Sequence, residues 1–210
     1  MNIITISREF GSGGRELGRQ IAEILDYDYY DREIIATIAE RHDLDENYVE
    51  HALTNHIWHT IPLTYAHSFA TPIIMQTPHV ELLQEQRKVI EEIAKSSKNF
   101  VIVGRNADVL LRKFNPFNIF VCADMPSKIA RCKARAEGVE LNFTDKDFMQ
   151  KIKNVDKNRE RTRAIIADGT WGNRHSYHLI VNTTDWDLNQ LAISVSDMAK
   201  RWSENKGENS

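Results

Sequence analysis

The stretch from Asn2 to Leu25 reads NIITISREFGSGGRELGRQIAEIL and decides the fold. Its β-branched start, Ile3 to Ile6, predicts a strand that is buried on both faces. Its end predicts an amphipathic helix, because four apolar residues recur at helical spacing: Leu17, Ile21, Ile24 and Leu25. Between the strand and the helix lies a glycine-rich turn, Gly11-Ser12-Gly13-Gly14.

This glycine turn predicts a phosphate site. A strand that enters a helix through glycines leaves several backbone N–H groups in one small concavity, at the positive end of the helix dipole. Glycine suits that position because side chains would hold the phosphate oxygens away. The predicted donor-phosphate residues are Gly11, Ser12, Gly13 and Gly14. The alternative is an ordinary turn between a strand and a helix.

The turn departs from the phosphate-loop motif G-x-x-x-x-G-K-[ST]. Arg15 and Glu16 follow Gly14 where the motif has Lys and Ser or Thr, and Glu9 stands where the motif has its first glycine. Arg15 can replace the lysine as the phosphate cation, with a planar fork in place of a point charge. Glu16 cannot replace the hydroxyl that ligates magnesium.

Composition narrows the class of protein. The chain has 210 residues, enough for one substantial core, and is 41% hydrophobic and 27% charged, as is ordinary for a globular domain. A net charge of −3 argues against a nucleic-acid partner. No apolar run approaches the ~20 residues that cross a bilayer, so we expect no membrane partner. Two cysteines without C-x-x-C spacing fit a reducing compartment, and we expect a cytoplasmic protein.

The rest of the chain alternates strands and helices. Further strands are predicted at 27–30, 100–103, 118–122 and 177–182, and helices at 32–41, from 44, at 80–95, 126–136, 147–166 and 188–202. On the last helix the apolar residues are Leu191, Ile193, Val195 and Met198, and the tail 203–210 is expected to fray. Such alternation predicts a parallel sheet with right-handed crossovers and helices on both faces.

Two charged residues follow predicted strands, at the edge where ligands gather in parallel sheets. Asp31 is a candidate for holding a substrate hydroxyl or amine; the alternative is a helix N-cap. Arg105 is a candidate for binding phosphate bidentately. Its alternative is a structural pair with Asp108 or another carboxylate.

The segment 56–78 is rich in His, Thr, Pro and aromatic residues, and we expect a long loop there. The histidines at 51, 56, 59, 67 and 79 lack the spacing of metal ligands, so surface or partner-facing histidines are favoured over a metal site. The predicted helices at 126–136 and 147–166 carry many basic residues and form a pair that could close over an anion. The alternative is a solvated face.

Taken in order, these motifs resemble the cytidylate kinase-like family of nucleoside monophosphate kinases. The resemblance spans ITISREFGSGGRELGRQIAEIL, YYDREII, VIVGRNADVLL, FNIFVCADMPSKIARCKAR, NRERTRAI and YHLIVNTT. It implies a single P-loop kinase-like α/β domain over 1–210, with a five-stranded parallel sheet, a helical acceptor-binding insertion at 32–95 and an arginine-bearing lid at 131–163.

The resemblance also implies residue roles. The glycine turn would surround the phosphates of ATP, Arg105 would bind the acceptor phosphate, and lid arginines would meet the transferring group: Arg131, Arg159, Arg161 and Arg163. The family pattern Gly-Arg-Asp reads Gly104-Arg105-Asn106 here. The family's Gly-Lys-Gly-Thr is replaced by Gly14-Arg15-Glu16. We therefore expect an ATP- and Mg²⁺-dependent kinase acting on a nucleotide or related small acceptor. The competing hypothesis is a binding module that senses such a ligand without turning it over.

Overall fold

The computed structural model describes residues 1–54, 78–167 and 170–208. Five parallel strands form one sheet: β1 (Asn2–Arg8), β2 (Asp28–Tyr30), β3 (Asn99–Val103), β4 (Phe117–Cys122) and β5 (Leu179–Asn182). Their order across the sheet is β2-β3-β1-β4-β5. The central strand β1 pairs with β3 from Asn2 to Ile6 and with β4 from Ile4 to Arg8. The predicted five-stranded parallel α/β fold is confirmed.

The helices follow the strands. They are α1 (Gly14–Leu25), α2 (Glu33–His42), α3 (Glu46–Thr54), α4 (Pro78–Ser96), α5 (Ala107–Leu110), α6 (Met125–Ala134), α7 (Asp145–Ile166) and α8 (Leu188–Glu208). Short 3₁₀ helices lie at Arg112–Phe114, Gly138–Asn142 and Arg174–Ser176. No helix in the described ranges is long and apolar enough to span a bilayer.

The two faces of the sheet carry separate cores. Alternation along the strands sends Ile3, Phe100 and Ile102 to a core with α2, α3 and α4, and sends Ile4, Ile6 and Val101 to a core with α1 and α8. A third, smaller cluster joins α6 to α7 through Ile129, Phe148 and Ile152. This cluster therefore holds the start of α7 against α6.

Several local predictions were wrong. Ile24, Ile193 and Met198 were assigned to apolar faces but are about half exposed. The last helix continues to Glu208, so the segment from 203 is largely helical rather than frayed. Helix α2 begins after Arg32 without a side-chain cap, so Asp31 is not its N-cap. The segment 55–77, with three of the histidines considered above, lies outside the described residues.

Candidate functional site

A cavity of about 490 Å³ opens at the carboxyl ends of β1 and β3. It lies between the residues that precede the glycine turn, the turn after β3, and the helices α3 and α7. Among the described residues that line it, one is a carboxylate, Glu50, and five are arginines: Arg8, Arg15, Arg32, Arg105 and Arg159. The cavity is therefore strongly basic although the whole chain carries a net charge of −3.

Arg105 reaches the cavity from a backbone turn of unusual conformation. Gly104, Arg105 and Asn106 all have positive φ, at 79°, 58° and 54°. Positive φ is costly for a residue with a side chain, and such strain concentrates at functional sites. The Arg105 side chain is 11% exposed, and its Nη2 lies 3.7 Å from Oε1 of Glu50. Gln86 of α4 supports the turn by donating to the Arg105 carbonyl at 3.3 Å.

Asp108 is not the partner of Arg105. Its Oδ2 lies 2.5 Å from Nη1 of Arg163, and both side chains are nearly buried. The sequence alternative that paired Arg105 with Asp108 is therefore wrong. The carboxylate that does lie near Arg105 belongs to Glu50, which is 44% exposed at the cavity. Arg105 is therefore held loosely enough to accept an anion.

Arg15 and Asp31 meet at the rim of the cavity. The Nε of Arg15 forms an ion pair with Oδ2 of Asp31. Asp31 is 3% exposed, whereas the Arg15 side chain is 47% exposed. Tyr29 donates to the Arg15 carbonyl at 3.3 Å, and burial together with Asp31 raises the pKa of Tyr29 to about 12. Arg15 therefore already has an internal carboxylate partner.

Arg8 enters the cavity from the end of β1. It is 15% exposed at the side chain, and its Nη2 is 4.0 Å from Oδ1 of Asp31. Burial lowers the pKa of Arg8 well below its ordinary value, and the Arg159 guanidinium lowers it further. Arginine stays protonated under such shifts. The lowered pKa therefore means that the folded protein holds this charge at a cost.

Arg159 of α7 faces the same cavity. Its Nη1 donates to the Arg8 carbonyl at 3.0 Å and to Oδ1 of Asp156 at 3.1 Å. Burial lowers the pKa of Arg159, while Asp156 raises it. Asp156 in turn accepts the backbone N–H of Phe10 at 2.7 Å. Helix α7 is thus tied directly to the loop that leads into the glycine turn.

The other predicted lid arginines lie elsewhere. Arg131 is beside the glycine turn, where its Nη2 donates to the Thr183 carbonyl at 2.8 Å. Arg163 is buried in its pair with Asp108, and Arg161 is exposed. Of these four arginines, only Arg159 is among the residues that line the cavity. The sequence-predicted site residues therefore divide into a cavity group and a peripheral group.

The glycine turn has the backbone of an anion nest. Gly11 and Gly13 have φ of 77° and 82°, and Gly13 is the N-cap of α1 without a side-chain cap. Within the described chain, the N–H groups of Gly13 and Gly14 have no hydrogen-bond acceptor. Ser12 is fully buried, and its hydroxyl donates to the Glu9 carbonyl. The free amides fit a phosphate group.

Magnesium fits less well. The Ser12 hydroxyl is engaged, and Glu16 is paired with Arg135 rather than directed to the turn. In the part of the chain that the structure describes, no three His, Cys, Asp or Glu side chains are grouped to hold a metal ion. The residues present therefore supply an amide nest for phosphate oxygens but no ligand set for the metal.

Neutral side chains also line the cavity. Trp171 and Phe10 contribute aromatic surface, and Asn47 contributes an amide. Trp171 is fixed by an edge-to-face contact with Phe120, with ring centroids 5.3 Å apart. An aromatic surface beside arginines suits a ligand that combines an anionic group with a flat or apolar part.

Sequence reasoning missed Arg8, Asp156 and Trp171. Arg8 was missed because it ends a strand that is mostly buried, although its position at the carboxyl end of the central strand is typical of ligand-binding residues. Asp156 had no motif, since its partner Phe10 is 146 positions away. Trp171 follows the last basic helix in a segment without periodicity, so no pattern placed it at the cavity.

Comparison with known proteins gives a family and a fold. A model described as the cytidylate kinase-like family matches residues 3–185. No curated protein matches the chain. An uncharacterized protein from Eubacterium ventriosum has a similar structure, with a TM-score of 0.68 and 21% identity, over 95% of this chain and 99% of that one.

Two shikimate kinases are also similar in structure. The enzyme from Bacteroides thetaiotaomicron gives a TM-score of 0.57 at 15% identity, over 95% of this chain and 98% of that chain. The enzyme from Acinetobacter baumannii, solved in complex with shikimate, gives 0.55 at 13% identity, over 94% and 92%. At these identities the likeness establishes the fold alone.

Proposed function

We propose, from the chain's membership of the cytidylate kinase-like family and from its arginine-lined cavity, that it transfers the γ-phosphate of ATP to a small acceptor. The acceptor already carries an anionic group, as a nucleoside monophosphate does. The observation that carries the proposal is the convergence of Arg8, Arg105 and Arg159 on one cavity with a single lining carboxylate among the described residues.

The chemistry needs such a site. Phosphoryl transfer is catalysed mainly by positioning and by neutralising charge on oxygens that lie roughly in line. Arginines that face one small cavity supply both, because each planar guanidinium can hold two oxygens in a fixed orientation. A simple structural role does not explain why three such cations lie together in partly buried positions, since mutual repulsion and burial both disfavour them.

Each part of the site has a proposed role. The free amides at Gly13 and Gly14 hold donor phosphates, Arg105 holds the acceptor's anionic group, and Asp31 orients Arg15 at the rim. Arg159 stabilises the transferring group, and its position on α7 makes the lid segment 131–163 part of the site. The described residues supply no ligand set for Mg²⁺, so we assign none of them to the metal. Roles for Arg131, Arg161 and Arg163 in transfer remain predictions.

A second candidate is a sensor that binds the ligand without transfer. This candidate is favoured by the loop before the glycine turn, because polar groups of that loop already have partners within the protein. The Phe10 N–H is held by Asp156, and the Lys128 ammonium lies 2.6 Å from Oε2 of Glu9. A loop that satisfies its polar groups internally has less need of a triphosphate to complete it.

Turnover across an acceptor panel separates the two candidates. The assay follows ADP release from ATP and Mg²⁺ with CMP, UMP, AMP, GMP and shikimate, beside calorimetric titration of ATP and of each acceptor alone. We expect acceptor-dependent ADP release with at least one anionic acceptor. Binding of ATP or of an acceptor without ADP release would support the sensor, and absence of both would refute the site as a nucleotide or acceptor site.

A variant ties the result to the cavity. Arg105→Gln should raise the KM for the acceptor by about tenfold or more, because it removes a charged hydrogen-bond donor from the anionic group. Arg112→Gln is the matched control, since Arg112 is an exposed arginine outside the cavity lining. Equal kinetics for the two variants would show that the acceptor binds elsewhere.

A further inference from the structure

The Arg8 side chain lies between two glycines that belong to different elements. A Cβ placed on Gly14, at the start of α1, would be 2.6 Å from Cβ of Arg8. A Cβ on Gly104, at the end of β3, would be 1.7 Å from its Nη1. Neither distance is possible between real atoms. Both positions must therefore stay glycine for Arg8 to keep its present path from β1 to the cavity.

This path gives Arg8 the place that a side chain at position 14 would otherwise occupy. Position 14 is the first residue of α1, directly after the N-cap Gly13. Here no side chain projects from position 14, and the Arg8 stem passes beside it. The side chain beside the start of α1 thus comes from the strand rather than from the loop.

The guanidinium of Arg8 has only a distant carboxylate partner among the described residues. In the described chain its guanidinium makes no hydrogen bond, and the carboxylate oxygen with which it forms an ion pair, Oδ1 of Asp31, is 4.0 Å away. Three other arginines act on it unfavourably: Arg15, Arg105 and Arg159. A nearly buried cation that opens into a cavity, with one carboxylate oxygen 4.0 Å away, favours the binding of an anion from outside the chain.

We propose that Arg8 is the principal phosphate-binding cation of this site, in place of Arg15. The ligand group is a phosphoryl group, which the planar guanidinium holds through two oxygens. Arg15 instead completes its ion pair with Asp31 at the rim. The proposal rests on the proposed function, because it names the residue that binds the phosphate in that reaction.

The assignment has a consequence for stability that a structural arginine would not share. Because burial and neighbouring cations disfavour the charge on Arg8, its removal should leave the fold as stable as before or more stable. Loss of ligand affinity together with an unchanged or raised melting temperature marks a residue kept for binding. A residue kept for the fold would lower the melting temperature.

The first experiment measures binding of inorganic tripolyphosphate by calorimetry, and melting by circular dichroism, in four variants of the full chain. Arg8→Gln should weaken binding by about tenfold to a hundredfold, the range for a hydrogen bond to a charged group. Arg15→Gln should weaken it by less than about threefold, and Arg8→Lys should fall between. Arg19→Gln, on an exposed α1 pair with Glu23, is the control and should not change it.

A swap of positions tests the geometry itself. Arg8→Gly frees the space that a side chain at position 14 requires, and the double variant Arg8→Gly with Gly14→Lys restores a cation there. We expect the double variant to recover part of the affinity lost in Arg8→Gly. Gly14→Lys alone should lose affinity, because it collides with Arg8. If the double variant and Arg8→Gly bind tripolyphosphate with equal affinity, the inference that Arg8 and a side chain at position 14 occupy the same place is wrong.

These results separate the proposal from the proposed function. If wild-type protein shows no ADP release but Arg8→Gln has a lower affinity for tripolyphosphate, the proposed kinase activity is wrong and the Arg8 assignment holds. If wild-type protein releases ADP and Arg8→Gln retains full turnover and affinity, the kinase holds and the assignment fails. A larger loss in Arg15→Gln than in Arg8→Gln would also overturn it, and so would a markedly lowered melting temperature of Arg8→Gln.

Discussion

Arg163 and Arg8 are both nearly buried arginines near the carboxyl ends of the strands, yet their surroundings are opposite. The Arg163 side chain is 6% exposed and lies 2.5 Å from Oδ2 of Asp108. The Arg8 side chain is 15% exposed, and its ion-pair distance to Asp31 is 4.0 Å. The first is a closed ion pair between α7 and α5, and the second is an open cation among other arginines.

The difference shows how the same residue type serves two purposes. A charge that finds its partner inside the chain at short distance fixes one element against another. A charge that is desolvated without a partner raises the free energy of the folded state until an anion arrives. On this basis Arg163 joins α7 to the body of the domain, whereas Arg8, Arg105 and Arg159 are the arginines that we propose hold the ligand.

The largest effect is expected from breaking the closed pair. Arg163→Ala leaves the Asp108 carboxylate buried without its partner, which should cost about 3–5 kcal/mol of unfolding free energy. Chemical denaturation at neutral pH measures it. Arg163→Met with Asp108→Leu removes both charges and should recover most of the loss. A loss below about 1 kcal/mol in Arg163→Ala would show that the pair is not closed, and would return Arg163 to the candidates for direct ligand contact.

An intermediate effect is expected at Gly104. Its φ of 79° alone makes alanine unfavourable, by about 1–2 kcal/mol. Gly138→Ala is the matched control, because Gly138 also has positive φ but has no atom within 4 Å of the added Cβ. The two variants should lose similar unfolding free energy, since the Arg8 head can move aside. Only Gly104→Ala should lose affinity for tripolyphosphate. Equal affinities would show that Arg8 need not lie against Gly104.

The fold was predictable because its evidence is local. Continuously apolar strands and glycine or charged residues at their ends placed all five strands to within a few residues, and alternation with helices gave the parallel sheet. The errors came from counting only large apolar residues. Helix α8 packs on α1 with Ala192 and Ala199 in its buried face, so Ile193 and Met198 fall outside that face.

The site was only partly predictable because charge balance is not local. The sequence placed Arg105 and Asp31 at the correct edge of the sheet, as strand ends require. It could not show that Asp108 belongs to Arg163, 55 positions away, or that Arg15 belongs to Asp31. Arginines at 8, 15, 159 and 163 look alike in sequence. The partners that distinguish them arise only when the elements are brought together.

The smallest effect concerns Asp156, which lies between the two extremes of closed pair and open cation. It is held by Phe10 and Arg159, yet burial raises its pKa above the ordinary value. A carboxylate with a raised folded-state pKa contributes stability that is present below its unfolded pKa, near 4, and is lost as pH rises through the folded value. Asp156→Asn lacks this loss, so its unfolding free energy relative to wild type should rise with pH above about 4. Chemical denaturation of both proteins between about pH 4 and pH 7 measures the difference.

Asp197→Asn removes the exposed i,i+4 partner of Arg201. It is the control and should show no such rise. A difference that falls with pH would mean that Phe10 and Arg159 outweigh burial, and that Asp156 belongs with the closed pairs.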